Sequence, residues 1–257
     1  MSREELKPLT SLRFVAALLV FLWHVPQTVV MAYVFSLGYS GVGFFFLLSG
    51  FILTYTYRRA FDGRLNRAAM WSFYVARFAR IYPVLVASTL IMLIVLTAVG
   101  GFYWTGEPPI VRLNAAVAQL LLLQSWFPLR AIFFGINGPA WSLSVEAFFY
   151  GLFPFIAAGL FRVFRRASSY QVIAVAFLLW LALVATESPL QAQVDDWRFY
   201  VFPPARLVDF VVGMMLGIAF LRSSGSLGWP LRATSLELLA LSAAALLTYS
   251  SPLAPRS

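Results

Sequence analysis

Arg13 and the chain's single histidine, His24, stand eleven residues apart inside one apolar block. In a helix that interval is about three turns, so both side chains project from one face, roughly 16 Å apart along the axis. A guanidinium can hold an anionic group, and an imidazole can take a proton from a hydroxyl as general base. Taken singly, Arg13 reads as well as a residue snorkelling to lipid head groups, and His24 as a helix-packing hydrogen bonder. The shared face favours the joint role.

Other residues add to this pair. Arg77 and Arg80 lie three apart and so share a helix face. Their planar, multi-donor groups suit phosphate, although arginines at the end of an apolar block also serve membrane topology. Glu146 lies one to two turns into another apolar block that opens at Asn137-Gly-Pro-Ala-Trp141. A carboxylate there is costly and is a functional candidate by default. Trp141, Ser142 and Arg206 are the expected substrate contacts; Arg206 and Asp209, at i and i+3, also read as a simple ion pair. Gly41, Gly43 and Ser49-Gly50 read as close helix packing, and Ser49 lacks the turn sequence of a serine nucleophile.

These side chains need elements to carry them, and composition says which. Of the 257 residues 61% are hydrophobic and 11% charged, against about 25% charged in soluble domains. The apolar residues come in blocks at 10–31, 38–57, 81–99, 113–128, 141–161, 169–186, 205–221 and 234–250, most of them long enough to cross roughly 30 Å of hydrocarbon as helix. The expected fold is all-α: a polytopic transmembrane helix bundle forming a single membrane domain over 1–257. The absence of cysteine excludes disulfides and thiolate chemistry, and one histidine excludes a multi-histidine metal site. The net charge of +9 comes from arginines at block ends, the positive-inside pattern and not a nucleic-acid stripe.

Charge orients the blocks. Pro26 to Gly38 carries no charge and should lie outside, whereas Arg58, Arg59, Arg64, Arg67, Arg77 and Arg80 face only Asp62 and should lie in the cytoplasm. Arg162, Arg165 and Arg166 mark a second cytoplasmic connection, and Arg222 with Arg232 a third. Five crossings before Arg162 would put that cluster outside, so one block fails to cross. The expectation is 113–128, the shortest, which carries Asn114, Gln119 and Gln124. That makes about seven spans plus one re-entrant or interfacial helix, with the N-terminus cytoplasmic and the chain multi-pass in the inner (plasma) membrane. If 113–128 stops short, Glu146 should fall near His24, as a second catalytic residue that orients the imidazole and stabilises its charged form; if it crosses, near Arg13.

Together these segments resemble the acyltransferase-3 family of integral-membrane O-acyltransferases. The pieces are Leu12-Arg13 with ten residues before His24, Gly41-Val-Gly-Phe-Phe-Phe-Leu-Leu-Ser-Gly-Phe51, Arg77-Phe-Ala-Arg-Ile-Tyr-Pro83, Trp141-Ser-Leu-Ser-Val-Glu146 with Phe149-Tyr150, and Arg206-Leu-Val-Asp-Phe210 before Gly213. The resemblance implies transfer of an acyl group, commonly acetyl, from acyl-CoA to a hydroxyl of a carbohydrate acceptor such as a cell-surface polysaccharide, without a metal. It makes His24 the catalytic histidine and gives Arg13, Arg77 and Arg80 to donor binding or site architecture. Asp209 stands where the family more often has Glu, and the chain reads as C-terminally short relative to the family. The contrasting readings are a transporter for an anionic or sugar-linked substrate and an inactive shortened homologue. Composition says nothing of the acceptor's identity, the acyl chain length or the oligomeric state.

Overall fold

The computed structural model describes residues 32–98, 106–190 and 197–223. Arg13, His24 and the apolar blocks at 10–31 and 234–250 lie outside the described residues. Among the described residues every regular element is helical. In chain order they are α1 (Ala32–Tyr57), α2 (Arg67–Ala98), α3 (Pro109–Leu120), a 3-10 turn Gln124–Trp126, α4 (Arg130–Phe133), a 3-10 turn Gly138–Ala140, α5 (Trp141–Val163), α6 (Ser169–Leu190), a π turn Trp197–Val201 and α7 (Pro203–Ser223).

Three helices, Arg67–Ala98, Gly138–Val163 and Pro203–Ser223, are long and apolar enough to cross a membrane, and Gly41–Tyr57 and Ser169–Leu183 are shorter apolar stretches. On α2 the buried side chains Phe73, Ile81, Leu85 and Thr89 form one stripe. Its other faces expose Val84, Leu90, Ile91 and Ile94. A helix apolar all round belongs in lipid or a deep core.

Two boundaries differ from the sequence reading. The block expected at 81–99 begins at Arg67, so Arg77, Arg80 and Pro83 are interior to α2 and not at its start. Pro83 has no amide hydrogen to close onto Ala79, yet the helix runs on through it. The block at 113–128 is not one helix: α3 has 12 residues, about 18 Å of rise, which falls short of roughly 30 Å of hydrocarbon.

The chain divides into two compact units. Within unit 1 (1–58, 164–193 and 208–257), α1 and the body of α7 meet backbone against backbone. A Cβ added to Gly50 would sit 2.0 Å from Phe210 O, and one added to Gly213 would sit 1.9 Å from Leu47 O. Gly217 faces Phe51 O and Thr54 in the same seam, and Phe51 and Tyr55 close it over Phe220. Small residues permit such approach where apolar burial supplies little drive between helices. Unit 2 (59–163 and 194–207) is built on α2 and α5. Phe73 stacks on Phe153 at 5.0 Å between ring centroids, and Phe61 meets both rings edge-on. Val145 and Phe149 are also fully buried.

Gly213→Leu should therefore cost on the order of 3 kcal/mol or more by overpacking, seen as a lower melting temperature and loss of monodisperse protein in detergent. Gly151→Ala is the control, because a Cβ there meets nothing within 4 Å; its melting temperature should hold or rise slightly.

Candidate functional site

Unit 2 places the charged candidates by fixing the register of α2 against α5. The Tyr74 hydroxyl donates to Gly151 O at 3.1 Å, and Asn137 Nδ2 donates to Ser88 Oγ at 2.9 Å. In the last turn of α5, Arg162 donates to Gly63 O, just ahead of α2, at 2.9 Å. Each residue gained along α2 is one lost along α5, so the two helices run antiparallel without slippage. That register brings Glu146 to the level of Ala79 and Arg80.

The cluster at this level is specific. The Tyr150 hydroxyl donates to Glu146 Oε2 at 2.8 Å. The Arg77 guanidinium lies 5.9 Å from the Tyr150 ring centroid and 5.8 Å from that of Phe73, within cation–π range. The register puts Arg80 at the same level on α2, three residues from Arg77. Tyr150 is buried, Arg77 and Glu146 are half-buried, and Arg80 is exposed. Two guanidinium groups at a partly exposed level of an apolar helix pair fit an anionic ligand, as phosphate groups would be.

A second group forms where α5 begins. Trp141 and Tyr200 approach to 4.7 Å between centroids, and the Arg206 guanidinium lies 5.7 Å from the Tyr200 ring. Trp141 and Arg206 are thus brought together through Tyr200. Ser142 is not part of this group through its hydroxyl, which donates to Pro139 O in its own turn. Trp141 and Tyr150 are nine residues apart on α5, about 13 Å of axial rise, so the aromatic group and the arginine group occupy different levels.

Beyond Trp141, on the side away from the arginines, lies a polar layer that the sequence marked only through its glutamines. Gln119 Nε2 donates to Thr89 Oγ1 at 2.6 Å, and the Asn137 amide donates to Gln119 Oε1 at 3.3 Å. Thr89 is nine residues from both Arg80 and Ala98, about 13 Å either way along α2, so α3 reaches the middle of the apolar stretch that follows Arg80 and stops. The chain then turns through Leu122 at φ 57, in the left-handed region. Leu122 N–H bonds Gln119 O and Leu123 N–H bonds Ala118 O, a Schellman cap with leucine where glycine is usual. Ser144 Oγ, Gln124 Nε2 and Ser125 Oγ then fasten this turn to α5 through Leu122 O, Ala140 O and Trp141 O. Trp197 Nε1 adds a bond to Ser125 O.

The turn before α5 meets α2 at Ser88 through Asn137, so Trp141 opens α5 about level with Val84 and Glu146 falls level with Ala79 and Arg80. His24 and Arg13, the two partners expected for Glu146, lie outside the described residues. Tyr150 and Tyr200 were missed as site residues. For Tyr150 a signal existed in its i+4 spacing from Glu146; for Tyr200, distant in sequence from Trp141, there was none. Among the described residues no group of three or more His, Asp or Glu could hold a metal ion.

The family profile described as an acyltransferase domain matches residues 8–256. The chain is 31% identical over 242 residues to "Acyltransferase MdmB" of Streptomyces mycarofaciens, covering 83% of this chain and 57% of that protein. It is 29% identical over 164 residues to "Nodulation protein 10" of Rhizobium leguminosarum bv. viciae, covering 58% and 41%. It is 26% identical over 208 residues to "Putative peptidoglycan O-acetyltransferase YrhL" of Bacillus subtilis (strain 168), covering 77% and 30%. The chain thus spans between about a third and a little over half of these relatives' lengths. No solved structure matches it.

The polar layer gives a direct test. Thr89→Val and Gln119→Leu should each destabilise the protein by about 1–2 kcal/mol, since each leaves a buried polar partner unsatisfied. The double variant should lose less than the two added together. Additive losses in a thermal-melt cycle would show that the 2.6 Å bond contributes nothing.

Proposed function

Because the chain belongs to the acyltransferase-3 family, we propose that it transfers an acyl group, acetyl in the simplest case, from acyl-CoA to a hydroxyl of a carbohydrate acceptor. The observation that carries this reading is the family match over residues 8–256, which takes in Arg13, His24, Arg77, Arg80, Glu146 and Arg206. A glycan acceptor is supported by the relative named for peptidoglycan O-acetylation.

In this reading the anionic end of the donor is held by Arg77 and Arg80 from the arginine-rich, cytoplasmic side, with Arg13 adding a further cation. His24 acts as general base. It takes the acceptor's hydroxyl proton as the oxygen attacks the thioester carbonyl. A new C–O bond forms, the C–S bond breaks, and the departing thiolate takes the proton back from the imidazolium. Trp141 and Arg206, joined through Tyr200, are the proposed acceptor side, with Ser142 on the neighbouring turn. Their separation from the arginines along α5 suits two substrates that approach from different levels. The protein would work as a multi-pass protein of the inner membrane.

With membranes carrying the chain, acyl-CoA and endogenous glycan, the wild type should release CoA and acylate the glycan fraction. His24→Ala should lower both by a factor of about 10² or more, the usual reach of general-base catalysis, at unchanged protein level. Arg77→Ala should instead act mainly on the donor KM. Equal CoA release by wild type and His24→Ala would remove the histidine from the mechanism.

A further inference from the structure

Glu146 sits among cations, and its position on α5 says what it faces. The register set by Tyr74 with Gly151 and Ser88 with Asn137 places it level with Arg80, one turn from the Tyr150 hydroxyl that bonds it. On the facing helix Arg80 stands at this level and Arg77 one turn away, its guanidinium 5.9 Å from the ring that carries that hydroxyl. A ligand phosphate drawn to these guanidinium groups must come into the field of the same carboxylate. Like charges attracted to one pair of cations compete, whether or not they touch.

We infer that Glu146 is the counter-charge of the donor site, a brake on anion binding at Arg77 and Arg80, and not the orienting partner of His24. Tyr150 is its positioning residue: the O–H bond draws on the carboxylate's charge and tempers its repulsion of the ligand. When the site is empty, the carboxylate balances two cations at the rim of an apolar helix pair, where an uncompensated charge is costly. When the site is full, it limits how tightly the donor, and the CoA left after transfer, are held. Fast release of the spent carrier is the benefit. This assignment rests on the acyl-CoA reading for the identity of the anion; the grouping of Glu146 with the arginines does not.

The test measures binding of coenzyme A itself to the purified chain in detergent, alongside the donor KM and the pH profile of kcat. Glu146→Gln should bind coenzyme A about tenfold more tightly at low salt, the size expected of one like charge within roughly 10 Å at an effective dielectric of about 20. The gain should shrink as salt rises, because Arg80 is exposed. Tyr150→Phe keeps the ring beside Arg77 and removes only the hydroxyl, so it should bind coenzyme A several-fold more weakly. Adding Glu146→Gln to it should reverse that loss, which a merely structural tyrosine would not do.

Unchanged coenzyme A affinity in Glu146→Gln, with a fallen kcat and a moved pH profile, would assign the carboxylate to His24 and overturn the inference. If Glu146→Gln does not fold, Tyr150→Phe decides across salt: a loss of affinity at low salt that shrinks as salt screens the carboxylate supports the brake, and a loss independent of salt, or none, sinks it. A wild type that neither binds coenzyme A nor releases it from acyl-CoA would remove the donor reading itself, a different failure from either of these.

Discussion

A helix that ends inside an apolar layer has no water for its last carbonyls or its polar side chains, and unit 2 is organised around supplying those missing partners. α3 ends at Leu120, level with the middle of the apolar stretch that follows Arg80 on α2. Its carbonyls are closed by the Leu122 and Leu123 amides, and its terminal glutamine is shared between Thr89 and the Asn137 backbone. The left-handed conformation at Leu122 costs roughly 1–2 kcal/mol for a residue with a Cβ. It persists because Ser144, Gln124 and Ser125 bind the turn to the start of α5 from both sides. A strained residue held by its surroundings in this way is found where a fold must deliver the chain to one place.

That delivery decides the electrostatics. Since the turn enters at the level of Ser88, α5 begins halfway along α2 and reaches Arg77 and Arg80 within its first three turns. Had α5 started at the opposite face, Glu146 would lie far from both arginines. The bond from Arg162 to Gly63 O and the stacked rings of Phe73 and Phe153 secure the other end. Gly63 allows that end to turn tightly at φ 96, where any other L-residue is strained. One polar layer and one aromatic layer thus hold a charged layer between them.

Much of this was legible in the sequence, and the limits have physical causes. Apolar block length gave the long helices, because hydrocarbon thickness imposes it. The arginine bookkeeping singled out 113–128 as the block that does not cross, and the length of α3 agrees. Of the three polar side chains that marked it, Gln119 and Gln124 are buried, while Asn114 is exposed. The glycine reading held for Gly50, whose added Cβ would strike Phe210 O. The start of α2 was misplaced because Trp71 to Arg80 is too polar for an apolar window, although an α-helix can run on past the hydrocarbon. The level of Glu146 was out of reach, because depth along a partner helix depends on hydrogen bonds between residues tens of positions apart. Tyr200 was missed for the same reason.

The polar layer also bears on why the carboxylate is tolerated at all. A lone acid in a span is expensive, and the usual remedies are a partner or water. Here the remedies come from different directions: a hydroxyl one turn along the same helix, and cations from α2 at a partly open rim. Pro83 in α2 and Pro154 in α5 each lack the amide hydrogen that would close onto the carbonyl four residues back, Ala79 and Tyr150 respectively. Both gaps in the helix ladders fall beside the charged level and neither beside the polar layer. The ladders are thus uninterrupted where the turn after α3 must be held. The groups freed beside Arg77, Arg80, Glu146 and Tyr150 are carbonyl acceptors, so the donors for a bound anion at that level must come from the guanidinium groups themselves.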